Sequence, residues 1–352
     1  MLSKTYPISS RPSSLNLPNQ ESMSFLIIVI IVIALGFDFL NGMNDAANSI
    51  ATVVSTKVLS PTLGVFWAAF WNFTAVFIFG VHVATTIGKG IVEPAIVNEY
   101  VILSALIGSI FWVYACTHFG LPISVSHALI GGLMGPALII GGPDTLISAG
   151  ILKVSIFIFL SPILGFLLGG LVMIVTQWVF RRTRPRKVDS VFRVMQLVSS
   201  AVFSLGHGSN DAQKTMGIIT ILLFSTGHLG SEFHIPAWVI IASYTAIAAG
   251  TFAGGWKVIK TLGSSLTHLK PVQGFCAETA GAIMVISSTF GGIPVSTTHT
   301  ITGSIMGVGS VNRLSAVRWG VAGNIILAWI LTIPASMIIS GGAYLLVSLF
   351  VK

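Results

Sequence analysis

The sequence predicts an all-α, polytopic membrane protein of two inverted-topology repeats with broken helices and re-entrant hairpins, and three observations carry that prediction. Hydrophobic residues fill 54% of 352 positions and charged residues only 8%, against about 45–50% and roughly 25% in ordinary soluble domains. Arg181, Arg182, Arg184, Arg186, Lys187 and Arg193 crowd one short interval between apolar stretches. Two different motifs recur in the same order on either side of it.

Residues 24–35, 61–81, 154–179, 238–252 and 325–350 are apolar enough, alone or with their flanks, to cross a hydrocarbon core that needs about 20 helical residues. Backbone polar groups in lipid must be satisfied internally, which helices achieve. A transmembrane barrel would alternate over segments of about 10 residues, whereas 157–171 is continuously apolar. Residues 1–22, rich in Ser, Pro, Asn and Gln, read as a flexible tail. The following apolar run lacks a small-x-small cleavage pattern at Gly36-Phe37-Asp38 and stays as the first membrane helix.

The formal charge of +8 does not mark a nucleic-acid surface, because its densest part is the 181–193 interval. Under the positive-inside rule that interval is a cytoplasmic loop. It divides the chain into a first transmembrane repeat at 23–180, a basic linker at 181–193 and a second repeat at 194–352. The expected location is the inner (plasma) membrane, crossed several times, with the bilayer itself as partner. Cys116 and Cys276 lie in apolar segments without metal or disulfide spacing and read as filler.

The first motif, Gly42-Met43-Asn44-Asp45-Ala46-Ala47-Asn48-Ser49, returns as Gly208-Ser209-Asn210-Asp211-Ala212-Gln213-Lys214-Thr215. The second, Gly120-Leu121-Pro122-Ile123-Ser124-Val125-Ser126-His127, returns as Gly292-Ile293-Pro294-Val295-Ser296-Thr297-Thr298-His299. Asp45 and Asp211 are 166 positions apart and Ser124 and Ser296 are 172 apart, a drift of only six residues. Two halves of common plan account for this. An odd number of crossings per half would invert the second relative to the first, a frequent plan of secondary transporters.

Proline suits the first turn of a helix, so Pro122 and Pro294 mark helix starts inside apolar territory. A helix start offers free N–H groups and a partial positive charge, which together favour a phosphate-like anion. Hydroxyls of Ser124, Ser126, Ser296, Thr297 and Thr298 can donate to a tetrahedral oxyanion and accept from its protonated oxygens. Gly131, Gly135, Gly303 and Gly307 allow close helix approach and a hairpin in place of a span. Interhelical hydrogen bonding is the plainer role for any single hydroxyl; the repeated set behind repeated prolines favours a site.

A carboxylate at membrane depth costs about 2.5–3.5 kcal/mol even on the lenient insertion scale, so Asp45 and Asp211 call for a partner, a cavity or an ion. Asn44, Asn210 and carbonyls freed where Gly42 or Gly208 breaks the helix would supply hard oxygen ligands. Lys214 is the motifs' one fixed cation, too little to offset two aspartates and a phosphate dianion, so bound cations would supply the missing charge. Helix capping is the plainer reading of one Asn-Asp pair. Glu278 stands between a functional carboxylate and an interfacial or paired one, and Asp38 between a further cation ligand and a surface residue. His127 and His299 read as caps of the hairpin helices before they read as a proton relay.

These four segments resemble the inorganic phosphate transporter (PiT) family, with its repeated Gly-x-Asn-Asp segment and its later Pro-x-Ser-x-Ser/Thr-His segment. The likeness spans nearly everything beyond residues 1–22, and the short linker looks like the compact prokaryotic form. It implies an inverted-repeat symporter working by alternating access, a homodimer, and sodium ions as co-substrate with no other cofactor. It implies Ser124, Val125, Ser126, Ser296, Thr297, Thr298, Asn44 and Asn210 as phosphate contacts, and Asp45, Asp211, Asn44 and Asn210 as sodium contacts. Lys214 and Gln213 stand where the first half has Asn48 and Ala47, so the two cation sites need not be equivalent.

The leading expectation is sodium-coupled phosphate import; the alternative is proton-coupled transport of phosphate, metal phosphate or sulfate. A channel would want a ring of Lys or Arg, and the motifs hold only Lys214. An enzyme would need a base oriented on its nucleophile, and Ser126-His127 adjacency supplies no such geometry.

Overall fold

Each half of the chain folds as the same succession of helices in the computed structural model, described over residues 20–230 and 232–350. The first half runs α1 (Gln20–Ser55), α2 (Pro61–Thr74), α3 (His82–Lys89), α4 (Glu99–Phe119), α5 (Val125–Gly141) and α6 (Ser148–Phe180). The second runs α7 (Pro185–Ser225), α8 (Ala237–Ala253), α9 (Trp256–Lys260), α10 (Pro271–Phe290), α11 (Thr297–Ser310) and α12 (Trp319–Phe350). Among the described residues six helices are long and apolar enough to cross a bilayer, or up to eight if each of two bent pairs is one span. No strand is formed among them beyond one isolated bridge, Val92 to Leu146.

The breaks fall at matched places. The α2 arm meets α3 at 87° and the α8 arm meets α9 at 65°. The stretches 61–81 and 238–252 are therefore the first arms of bent pairs. The Gly42 and Gly208 segments do not break their helices, contrary to expectation: α1 and α7 run through both motifs. Glycine there serves close packing. A Cβ on Gly42 would collide with the carbonyl of Ile247, and one on Gly208 would lie 2.6 Å from the backbone of Asn72. No backbone carbonyl is freed as a cation ligand at either glycine.

The basic interval is irregular only over 181–184, because Pro185 opens α7 at its N-terminal turn and the rest of the interval is helix. At the other end α1 begins at Gln20, and the expected tail lies outside the described residues except for its last turn.

Gly120 (φ 72°) and Gly292 (φ 61°) take the left-handed conformation that ends α4 and α10. Leu121 N–H reaches back to Cys116 O at 2.9 Å, and Ile293 N–H to Ser288 O at 2.9 Å. The chain then passes through Pro122 or Pro294 outside any helix, with Val295 N–H reaching back across Pro294 to Ile293 O at 2.9 Å, and the helix proper starts after Ser124 or Ser296. The prolines thus precede the cap and do not occupy the first turn. At about 1.5 Å per residue, the 14 residues of α11 reach about 21 Å, short of the roughly 30 Å core.

Polarity is arranged for lipid. Asp38, Asp45, Asp211, Glu278 and Lys214 are buried, while Phe25, Phe111, Phe159, Leu171 and Leu349 are exposed. The halves also exchange partners: α5 packs on α12, α11 on α6, α1 on α8 and α7 on α2 and α3. The second-motif helices of both halves are thereby brought to one place.

Candidate substrate and cation site

The two hairpin helices start face to face. Ser124 and Ser296 are their N-caps, accepting from the N–H of His127 at 3.3 Å and of His299 at 3.2 Å. This leaves each serine's own O–H free to donate while its oxygen satisfies an end-turn N–H. The rings of His127 and His299 lie 4.9 Å apart, so the N-terminal turns converge in the protein interior.

Histidine is not the cap that the sequence led us to expect. His299 stacks on Trp329 at 3.8 Å, and the Trp329 indole N–H donates to Pro122 O at 2.9 Å. The imidazole, indole and first-half turn therefore form one continuous wedge behind the paired helix starts.

Beneath them the first motifs meet. Thr297 Oγ lies 3.4 Å from an Asp45 oxygen and 3.2 Å from an Asp211 oxygen, and Thr298 donates to Asp45 at 3.1 Å. Asn48 Nδ2 donates to Thr298 at 2.9 Å. Asn44 donates to Thr117 at 2.7 Å and Asn210 to Thr289 at 3.1 Å. Those threonines are themselves 172 positions apart, so the two asparagines are held alike. The amide oxygens of Asn44, Asn48 and Asn210 are buried and have no hydrogen-bond partner among the described residues. Three orphaned carbonyl-type oxygens beside two carboxylates are a donor set for hard cations.

The halves differ in charge. Lys214 forms an ion pair with Asp211 and reaches Val295 O at 3.4 Å, while its counterpart Asn48 binds Thr297 and Thr298. His207 joins the carboxylates: Nε2 stands 3.4 Å from Asp211 and 3.8 Å from Asp45. Its Nδ1 is 3.3 Å from Asn72 Oδ1, whose amide N–H₂ is spent on Thr251 at 2.9 Å, so Nδ1 is the donor. Asp45, His207 and Asp211 each offer an atom within 4.8 Å of the others. Positive charge among those three groups, a proton or a metal, removes the repulsion between them.

Val125 and Ser126 are buried in the first turn of α5; among the described residues no hydrogen bond ties them to the carboxylates.

Comparison with known proteins places this arrangement. A model of the phosphate transporter family matches residues 41–340. The chain belongs to the phosphate transporter family. A "probable low-affinity inorganic phosphate transporter" of Rhizobium meliloti (strain 1021) is 56% identical over 319 residues, covering 91% of this chain and 96% of that protein. One of the same description from Bacillus subtilis (strain 168) is 41% identical, covering 94% and 99%. A solved structure titled "The sodium-dependent phosphate transporter" superimposes with a TM-score of 0.82 at 27% identity, over 92% of this chain and 99% of that one.

Within this phosphate transporter family member several site residues escaped sequence reasoning. His207 had a signal, four positions before Asp211 on one helix face. Thr117 and Thr289 recur three positions before their left-handed glycines. Glu278, which the sequence leaves undecided, accepts from Thr52, Ser199 and, at 3.2 Å, Gln196, on α1 and α7. It is buried and held by neutral donors rather than paired with a base.

Proposed function

We propose that this chain imports inorganic phosphate by sodium symport, through alternating access of two inverted repeats. The carrying observation is the convergence of two serine-capped helix starts, His127 to His299 at 4.9 Å, over the Asp45 and Asp211 carboxylates. Free N–H groups and hydroxyls there would take the oxyanion, with Ser124, Val125, Ser126, Ser296, Thr297 and Thr298 as its contacts beside Asn44 and Asn210. Sodium would lie against Asp45, Asp211 and the orphaned oxygens of Asn44 and Asn210. These aspartates and Lys214 leave one net negative charge, so co-bound sodium offsets both that charge and the phosphate. The likeness to low-affinity inorganic phosphate transporters supports the substrate, and the likeness to a solved sodium-dependent phosphate transporter supports the ion. The homodimer belongs to this proposal and is checked by the mass of the solubilised particle.

Purified protein in liposomes tests the reading. Labelled phosphate uptake should follow an inward sodium gradient; uptake indifferent to sodium and driven by external acid would overturn it.

A second reading has its own observation. Imidazole suits first-row divalent metals as well as carboxylate does, and His207 lies with Asp45 and Asp211 within 4.8 Å. Phosphate carried as a metal complex with protons would make uptake fall on chelation of divalent ions, which sodium symport would not.

A further inference from the structure

We infer that Asp38, Asn41, Thr215 and Tyr244 form a separate binding site for one alkali cation, sodium, beside the Asp45 and Asp211 centre; this rests on the reading of the chain as a sodium-coupled carrier. Asp38 lies on α1, seven residues before Asp45, and is fully buried. No Arg, Lys or His pairs with it among the described residues. Lys214, the ammonium within its electrostatic reach, is committed to Asp211 and to Val295 O. Asp211 is within the same reach and adds like charge.

Neutral partners do not satisfy this carboxylate. Asn41 Nδ2 approaches Oδ1 at 3.4 Å, at the long limit for such a bond, and Oδ2 has no hydrogen-bond partner. The Thr215 hydroxyl lies beside the carboxylate, and the Tyr244 hydroxyl comes from α8, next to Ser209, toward the same charge. Asn41 Oδ1, Thr215 Oγ1 and Tyr244 OH are all buried, and among the described residues none makes a hydrogen bond of regular geometry, although Thr215 approaches Asp38 and Tyr244 approaches Ser209. A buried carboxylate with this many under-satisfied oxygens around it is costly unless a proton or a counter-ion is taken up, and the surrounding oxygens suit the ion.

The donor set selects the ion. One carboxylate, one amide oxygen and two hydroxyls are hard oxygen ligands without nitrogen or sulfur, which disfavours transition metals. Their single negative charge balances a monovalent ion. Turning the Asn41 amide exchanges one long hydrogen bond for a further ligand oxygen. The site occurs once: at the 166-residue offset Asp38 faces Ser204 and Asn41 faces His207. A third cation would thus be bound asymmetrically, by the first repeat's α1 with α7 and α8.

Equilibrium binding of ²²Na⁺ to the purified full-length protein, run beside phosphate uptake in liposomes, tests this. Asp38→Asn should bind one sodium ion fewer per chain than wild type. Thr215→Val and Tyr244→Phe should keep the number and weaken one component several-fold. An unchanged number and affinity in Asp38→Asn would overturn the site, as would a change confined to the pH response of uptake. Should Asp38→Asn not fold, Tyr244→Phe decides, and an unaltered sodium isotherm in it overturns the site. The underlying reading fails separately, when wild-type uptake ignores sodium while the difference in bound sodium between wild type and Asp38→Asn persists.

Discussion

His299 donates its Nδ1–H to the backbone carbonyl of Ile158 at 3.2 Å. That carbonyl is available because Pro162, four residues on in α6, has no N–H to return to it. A helix defect in the first half is therefore sealed by a side chain of the second half's hairpin. The matched Pro334 lies in α12, but His127 Nδ1 has no hydrogen-bond partner, so the seal is made once.

This bond should show as coupling. His299→Ala is expected to destabilise the protein in detergent by about 1 kcal/mol less in a Pro162→Ala background than in wild type, since alanine gives Ile158 its helical partner. Equal penalties in an unfolding titration would mean the bond contributes nothing.

Thr117 and Thr289 hold equivalent asparagines, so Thr117→Val and Thr289→Val should act alike. Each removes the bond from the asparagine, about 0.5–1.5 kcal/mol, together with the hydroxyl's own bond to a carbonyl one turn back, Val113 or Val285, at nearly constant volume. The sodium concentration for half-maximal uptake is expected to rise roughly 2–10-fold at wild-type abundance. A sodium titration of uptake that stays in place in either variant would remove that threonine from the site.

Lys214→Met strands the Asp211 carboxylate in the interior, a change that typically costs about 3–5 kcal/mol. Membrane abundance should fall sharply, and the added change Asp211→Asn should restore it. Uptake should remain lost in the pair. Recovery of transport along with abundance would show that the ion pair is only structural.

Gly42→Ala and Gly208→Ala place a methyl group against the Ile247 carbonyl and the Asn72 backbone, forcing α1 from α8 and α7 from α2. Gly36, with nothing within 4 Å of an added Cβ, is the control. Monodisperse yield should fall for the first two and hold for Gly36→Ala. Equal yields across the three would deny the close approach.

The helical class, the pairing of motifs and the meeting of the Pro-Ser segments were legible in sequence because each left two copies at a fixed offset. Gly42 and Gly208 were misread, since a glycine that admits a neighbouring backbone and one that ends a helix look the same in one dimension. His127 and His299 read as caps in the sequence because their contact with each other, and the stacking of His299 on Trp329, leave no local spacing. Glu278 stayed undecided for a related reason: Thr52, Gln196 and Ser199 lie 226, 82 and 79 residues away from it. Asp38 looked like a possible surface residue until α7 and α8 closed over it.

The exchange of partners between halves bears on how the molecule is made. The hairpin of α4 and α5 is synthesised long before α12, the helix that packs against α5. The half-made chain must then keep its serine-bearing face from lipid without that neighbour, so the making of α12, and not completion of the first half, sets the moment at which α5 is covered.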